Sequence, residues 1–231
     1  MAFKQTQSMP QSALLFAREL LPRTLVQKIV FVVFGGLFLF ELLNYTNVLS
    51  FKIEFTWFGR VMSTFVLFAI LRSVDVLFQR KLGTHLQSRV WFIMTFLLFF
   101  DFFGDILGLY GKWTSYDQVV HFLSGPALVA SLILVFERIA DRLNWRSPRA
   151  VTYGLALGTS TIFAVLYEVE EYLEDFFFGT HRLGDGPDTA NDLMLNMIGG
   201  VLLIAVFVGY RAWQNRKVEQ DILSRSGIVD V

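Results

Sequence analysis

Six apolar stretches, near residues 25–46, 57–79, 89–110, 117–138, 150–177 and 189–212, occupy most of this 231-residue chain. A helix needs roughly 20 residues to cross a hydrocarbon core about 30 Å thick, and each stretch is long enough. The composition agrees, since 54% hydrophobic residues and 25 phenylalanines are too apolar a mix for an ordinary soluble domain. The expected fold is all-α: a polytopic membrane bundle of six transmembrane helices forming one domain over 25–212. Residues 1–24 precede it, with 11–22 able to lie on the membrane surface as a short amphipathic helix, and 213–231 follow as a tail. The absence of cysteine excludes disulfides, thiolate metal sites and a cysteine nucleophile. Arg23 and Lys28 lead into an apolar run too long for a signal peptide and lacking an A-x-A-like cleavage site, so the first helix is expected to stay.

Polar breaks at 44–54, 79–88, 111–115, 141–149 and 179–188 separate the stretches. In the last, Gly184-Asp185-Gly186-Pro187-Asp188 combines residues that accept positive φ with a proline that stops one helix and starts the next. Trp57, Trp91, Trp113, Trp145 and Trp213 fall at or just beyond stretch ends, where an aromatic belt would place them.

Orientation follows from the basic residues. Lys4, Arg18, Arg23, Lys28, Arg80, Lys81, Arg89, Arg138, Arg142, Arg146, Arg149, Arg211, Arg216, Lys217 and Arg225 fall on the side of the termini. Only Lys52, Arg60, Lys112 and Arg182 fall on the other. The positive-inside rule makes both termini cytoplasmic, which requires an even number of spans. Arg72 lies within the second stretch, three residues before Asp75, and is expected to pair with it. The outer side is acidic by contrast: Glu41, Glu54, Asp101, Asp105, Asp117, Glu168, Glu170, Glu171, Glu174, Asp175, Asp185, Asp188 and Asp192 map there.

Charged side chains deep in a bilayer cost roughly 2.5–3.5 kcal/mol even on the insertion scale, so they are rare unless they pair, face a cavity or do chemistry. Here four helices bring such groups to a similar depth: Asp101 and Asp105; Asp117 and His121; Glu168, Glu171 and Asp175; Asp188, Asp192 and Asn196. At about 100° per residue, Asp117 and His121 stand about 40° apart, and Asp188, Asp192 and Asn196 form a stripe. Glu168 and Glu171 stand about 60° apart with Asp175 between them, while Glu170 lies about 160° from Glu168. Glu170 and Glu174 therefore point elsewhere, to headgroups or to Arg60 or Arg182.

Plain alternatives exist for single residues. Asp117 and Asp188 can cap helix starts, Asp105 can contact headgroups, and Asn196 can bridge helices. His121 can be a hydrogen-bonded structural residue, or a ligand whose second ring nitrogen Asp117 orients. Glu168 and Glu171 are hardest to dismiss, because adjacent carboxylates on one membrane face repel unless a cation or a shared proton relieves them.

Tyr116-Asp117-Gln118-Val119-Val120-His121-Phe122 followed by Gly125 resembles the Y-D-x-x-x-H-F-x-x-G signature of the YjdF-like bacterial membrane proteins. Tyr167-Glu168-x-x-Glu171-Tyr172 resembles their E-x-x-E helix, and Gly184-Asp185-x-x-Asp188-Thr189-x-x-Asp192 with Gly199-Gly200 resembles their following segment. More distantly, the order of D-x-x-x-H, glutamate and D-x-x-x-N is similar to that of the VanZ-like envelope proteins, although Gln118 stands where that group has a basic residue. The resemblance covers residues 116 to 200. It implies a compact helical protein of a bacterial inner membrane and no particular reaction.

Three function classes fit these residues. In an intramembrane enzyme, Asp117, His121, Glu168, Glu171 and Asp192 are the catalytic candidates and, with Asp188, the metal ligands. Hard oxygen ligands suit Mg²⁺ or Mn²⁺, and the histidine admits Zn²⁺. The ion would act on a phosphate or ester of a lipid or envelope-derived headgroup. Alternatively, the same groups relay protons or bind a cation in a coupled carrier, or they hold helices together in an accessory protein. No basic stripe remains outside the topology signals, so a nucleic-acid partner is not expected.

Overall fold

The computed structural model describes residues 24–113 and 115–225, with side chains as far as 220. The expected surface helix at 11–22 lies outside the described residues. Among the described residues seven helices follow one another and there is no strand: α1 (Leu25–Tyr45), α2 (Trp57–Leu82), α3 (Ser88–Ile106), α4 (Leu109–Lys112), α5 (Tyr116–Arg142), α6 (Arg149–Phe178) and α7 (Gly186–Arg225). Five of them, α1, α2, α5, α6 and α7, are long and apolar enough to cross a membrane. The expected third span forms α3, but its 19 residues carry Arg89, Asp101 and Asp105, so it offers no 18-residue window with two or fewer charges, as each of the other five does. It also ends earlier than its hydropathy suggests: Gly108 takes φ 63° and starts the separate short helix α4.

Local signals set several boundaries. Thr24 caps α1 in a reciprocal box with Gln27, each side chain bonding the other's backbone N–H. The Thr56 hydroxyl accepts the Gly59 N–H at the start of α2. Gly83 and Gly179 end α2 and α6 in the left-handed conformation that glycine adopts without strain.

The described residues form two compact units, one of 24–52 and 56–98, the other of 53–55, 99–113 and 115–225. In the first, Phe31, Phe34, Phe68 and Trp91 pack ring against ring, with centroids 5.0 to 6.3 Å apart. Trp91 is 0% exposed, so it is a core residue of this unit and not a belt residue as its position in the sequence suggested. Arg72 bonds Asp75 as its spacing requires, and Asp75 also accepts from Gln79 and from the Leu86 N–H, so one carboxylate fastens the end of α2 to the turn after it. Arg60 is buried beside Glu41 at 3.8 Å, and Thr64 donates to the same Glu41 oxygen.

In the second unit α5, α6 and α7 pack against one another in all three pairings. Val129 and Ile133 of α5 meet Tyr153 and Ala156 of α6 in an apolar core, closed by Leu203, Ile204 and Phe207 of α7. In lipid such association depends on close van der Waals contact, which small residues permit. A Cβ on Gly125 would come within 1.9 Å of the Asn196 carbonyl oxygen, and one on Gly199 within 2.4 Å of the Phe122 carbonyl oxygen. Pro126 has no N–H to offer its i−4 partner, so that same Phe122 oxygen is left to face α7. The sequence G-P in α5 and G-G in α7 thus fixes how near the two polar faces come. Gly125→Ala is expected to destabilise the protein by about 1–3 kcal/mol through overpacking, read as a lowered unfolding temperature in detergent. Gly158→Ala, where a Cβ would meet nothing within 4 Å, is the control expected to change little.

Candidate metal and proton site

The three packed helices deliver their ionisable groups to one place: the first turns of α5, the last turns of α6 and the first turns of α7. His121 stands at its centre and is 2% exposed. Its Nε2 lies 3.4 Å from Asp117 Oδ1, one helical turn back, and its Nδ1 lies 3.8 Å from Glu168 Oε1 on α6. From α7, the Asn196 side-chain amide meets His121 Nδ1 at 2.9 Å and donates to the Asp192 carbonyl at 3.1 Å. Two sets of ligand-capable atoms, each within 4.8 Å of one another, share the histidine: Asp117, His121 and Asp192, and His121, Glu168 and Glu171. These buried acidic and histidine groups could hold a metal ion.

Satisfaction of the carboxylates is uneven. Neither oxygen of Glu168 accepts a hydrogen bond, nor does Asp192 Oδ1, though both residues are buried. Glu171 is held instead by Arg182, whose Nε lies 3.0 Å from its carboxylate. The same guanidinium bonds Glu174 at 3.0 Å and the Tyr167 hydroxyl, lies 3.8 Å from Glu170, and stacks over the rings of Phe55 and Tyr167. Burial works against the charge on Arg182, but Tyr167, Glu171, Asp101 and Glu170 hold its proton well above the usual guanidinium range.

The loop that carries Arg182 owes its path to Asp175. That carboxylate accepts from the Thr180 hydroxyl and from the N–H groups of Arg182, at 2.8 Å, and Leu183, at 3.1 Å. The chain therefore turns back over the last turns of α6 directly after Gly179. Asp175 acts on the loop and stands outside both ligand sets.

Other residues singled out by the sequence take separate places. Asp101 accepts the Tyr110 hydroxyl at 2.5 Å, and Asp105 accepts the N–H groups of Glu54 and Phe55. Asp105 is 1% exposed, which rules out a headgroup contact. Asp188 stands in the first turn of α7, while the cap bond is made by Asp185, whose carboxylate accepts the Asp188 N–H. Asp188 is half-buried, folds over Gly184 and joins neither ligand set. Glu170 and Glu174 meet Arg182, one of the partners their helical phase left open, and Glu174 is buried there; Arg60 lies 3.8 Å from Glu41. The sequence offered Arg182 as a partner of Glu170 or Glu174 and missed its bond to Glu171. Its one signal was the shortage of bases beside so many acids.

Fold and cluster together define a polytopic helical membrane protein that buries carboxylates and a histidine where three of its helices begin or end. The chain belongs to the family described as "Predicted membrane protein (DUF2238)", whose model matches residues 26–213. No curated protein and no solved structure matches it significantly.

Proposed function

We propose that this cluster binds a divalent cation in the outer half of a bacterial inner membrane and that the protein uses it on a phosphate or ester of a lipid or envelope-derived headgroup. The observation that carries this reading is the pair of buried carboxylates, Glu168 and Asp192, with oxygens that accept no hydrogen bond. An ion removed from water costs several kcal/mol unless something compensates it, and a cation among Asp117, His121, Glu168, Glu171 and Asp192 does so. A bound divalent ion supplies Lewis acidity toward an ester or phosphoryl oxygen and lowers the pKa of a coordinated water. Asp117, whose side chain is 32% exposed, gives the cluster its open side. Glu168 would take a proton from water, and Arg182 pairs with Glu171 and Glu174 and so offsets the repulsion between them. The Y-D-x-x-x-H and E-x-x-E segments fall on the helices that build the cluster, which supports the YjdF-like resemblance; the VanZ-like one rests on residue order alone.

The proposal is tested on protein purified in detergent by elemental analysis and by following headgroup release from added lipids before and after chelation. Stoichiometric metal and chelator-sensitive release are expected. Metal-free protein that takes up no divalent ion would end this reading.

The orientation belongs to the same proposal: α3 crosses as a sixth span, both termini are cytoplasmic, and the loop after α6 is outside. Single cysteines at His181, exposed in that loop, and Ser147, between α5 and α6, are expected to be labelled by an impermeant thiol reagent from opposite sides. Labelling of both from the same side would overturn the arrangement.

A further inference from the structure

Resting on the cation reading, we infer that the ion is held by oxygen alone: Asp117 and Asp192 ligate directly, Glu168 binds one of the ion's waters, and His121 orients the carboxylates without being a ligand. Asn196 fixes which ring nitrogen of His121 carries the proton. Its Nδ2 faces two acceptors at once, the Asp192 carbonyl oxygen at 3.1 Å and His121 Nδ1 at 2.9 Å. The carbonyl accepts only from a donor, and turning the amide over would set Oδ1 against it, so the bonding network assigns the amide nitrogen to this position. His121 Nδ1 is then an acceptor and carries no proton. A neutral imidazole must carry it on Nε2, which faces Asp117 Oδ1 at 3.4 Å. Nδ1 is thereby engaged by a donor, and Nε2, which makes no hydrogen bond in this geometry, carries its own proton toward Asp117, so neither offers a lone pair to a metal.

The carboxylates divide in a matching way. Arg182 holds Glu171, which removes it from the ligand set. Asp192 Oδ1 is buried and unpartnered, and it shares with Asp117 a set of atoms within 4.8 Å, while Asp117 remains partly open to the surroundings. Glu168, on the Nδ1 side, keeps both oxygens unpartnered beside a ring nitrogen that has no proton to give. One or two carboxylates with several retained waters is the coordination that Mg²⁺ prefers and Mn²⁺ tolerates. Here Glu168 is the acceptor for a proton of one such water.

Affinity ranking cannot test this, because Zn²⁺ outcompetes Mn²⁺ at most nitrogen and oxygen sites. The experiment is Mn²⁺ titration of the full chain in detergent, followed by pulsed electron paramagnetic resonance for nitrogen coupled directly to the ion. One Mn²⁺ displaced by Mg²⁺, with no coordinated-nitrogen signal, is the expected result. His121→Gln should weaken binding by about 10–100-fold, as loss of an outer-shell partner does, and leave the spectrum unchanged, whereas Asp192→Asn should abolish binding. A coordinated-nitrogen signal in the wild-type protein that disappears in His121→Gln overturns the inference while leaving the cation reading in place. No bound Mn²⁺ at all removes both.

Discussion

Arg182→Met is expected to destabilise the protein by about 3–5 kcal/mol, the cost of leaving buried charges without their partner. The guanidinium is 4% exposed and bonds Glu171 and Glu174, whose side chains are 5% and 3% exposed, each at 3.0 Å. Removing it leaves two carboxylates buried within one helical turn of each other. Arg182→Lys should fall between wild type and Met, because an ammonium keeps the charge but cannot reproduce the planar fork toward Glu171, Glu174 and Tyr167. Thermal unfolding in detergent micelles measures both. A loss below about 1 kcal/mol for Arg182→Met, the range of exposed ion pairs, would show that water reaches this cluster freely.

Asp192→Asn is expected to abolish cation binding, and Glu168→Gln to weaken it by about 10–100-fold as loss of an outer-shell partner does; both should abolish the proposed headgroup chemistry with little loss of stability. The amides match the carboxylates in shape, relieve repulsion among neighbouring acids and ligate poorly. In the present arrangement neither Glu168 oxygen accepts a hydrogen bond, so no protein–protein bond is lost by the change. Were the cluster only a means of joining helices, the amides would hydrogen-bond across it and the protein would work as before. Isothermal titration with Mn²⁺ and thermal unfolding, run together on both variants, separate the two cases. Full binding in both variants would remove the catalytic and ion-binding readings alike.

The helices were legible because hydropathy and length act locally. Thr24, Thr56, Gly83 and Gly179 mark helix ends within one turn of where they sit in the sequence. The pairing of Asp117 with His121, and the shared face of Asp192 and Asn196, follow from helical period alone. What could not be read is whatever depends on a loop folding back. Arg182 reaches Glu171 and Tyr167 only because Gly179 reverses the chain and Asp175 ties the next residues down, and no periodicity carries that information. Asp105 likewise serves backbone N–H groups about fifty residues earlier in the chain. Trp91 shows the converse failure: a stretch-end tryptophan fits a belt by position, yet aromatic neighbours on α1 and α2 bury it.

Helix α7 is fastened at two levels. Near its start, the Asn196 amide bonds His121 while the Asn196 backbone lies against Gly125; fifteen residues later, Arg211 bonds the Tyr153 hydroxyl at 2.7 Å and Glu137 at 3.2 Å. A side-chain atom about 5–6 Å from the helix axis moves about 2 Å when the helix rolls by 20°, enough to break any of these bonds. The helix is thus held against rotation as a shaft is held by two keys, and its polar stripe keeps a fixed bearing toward α5 and α6.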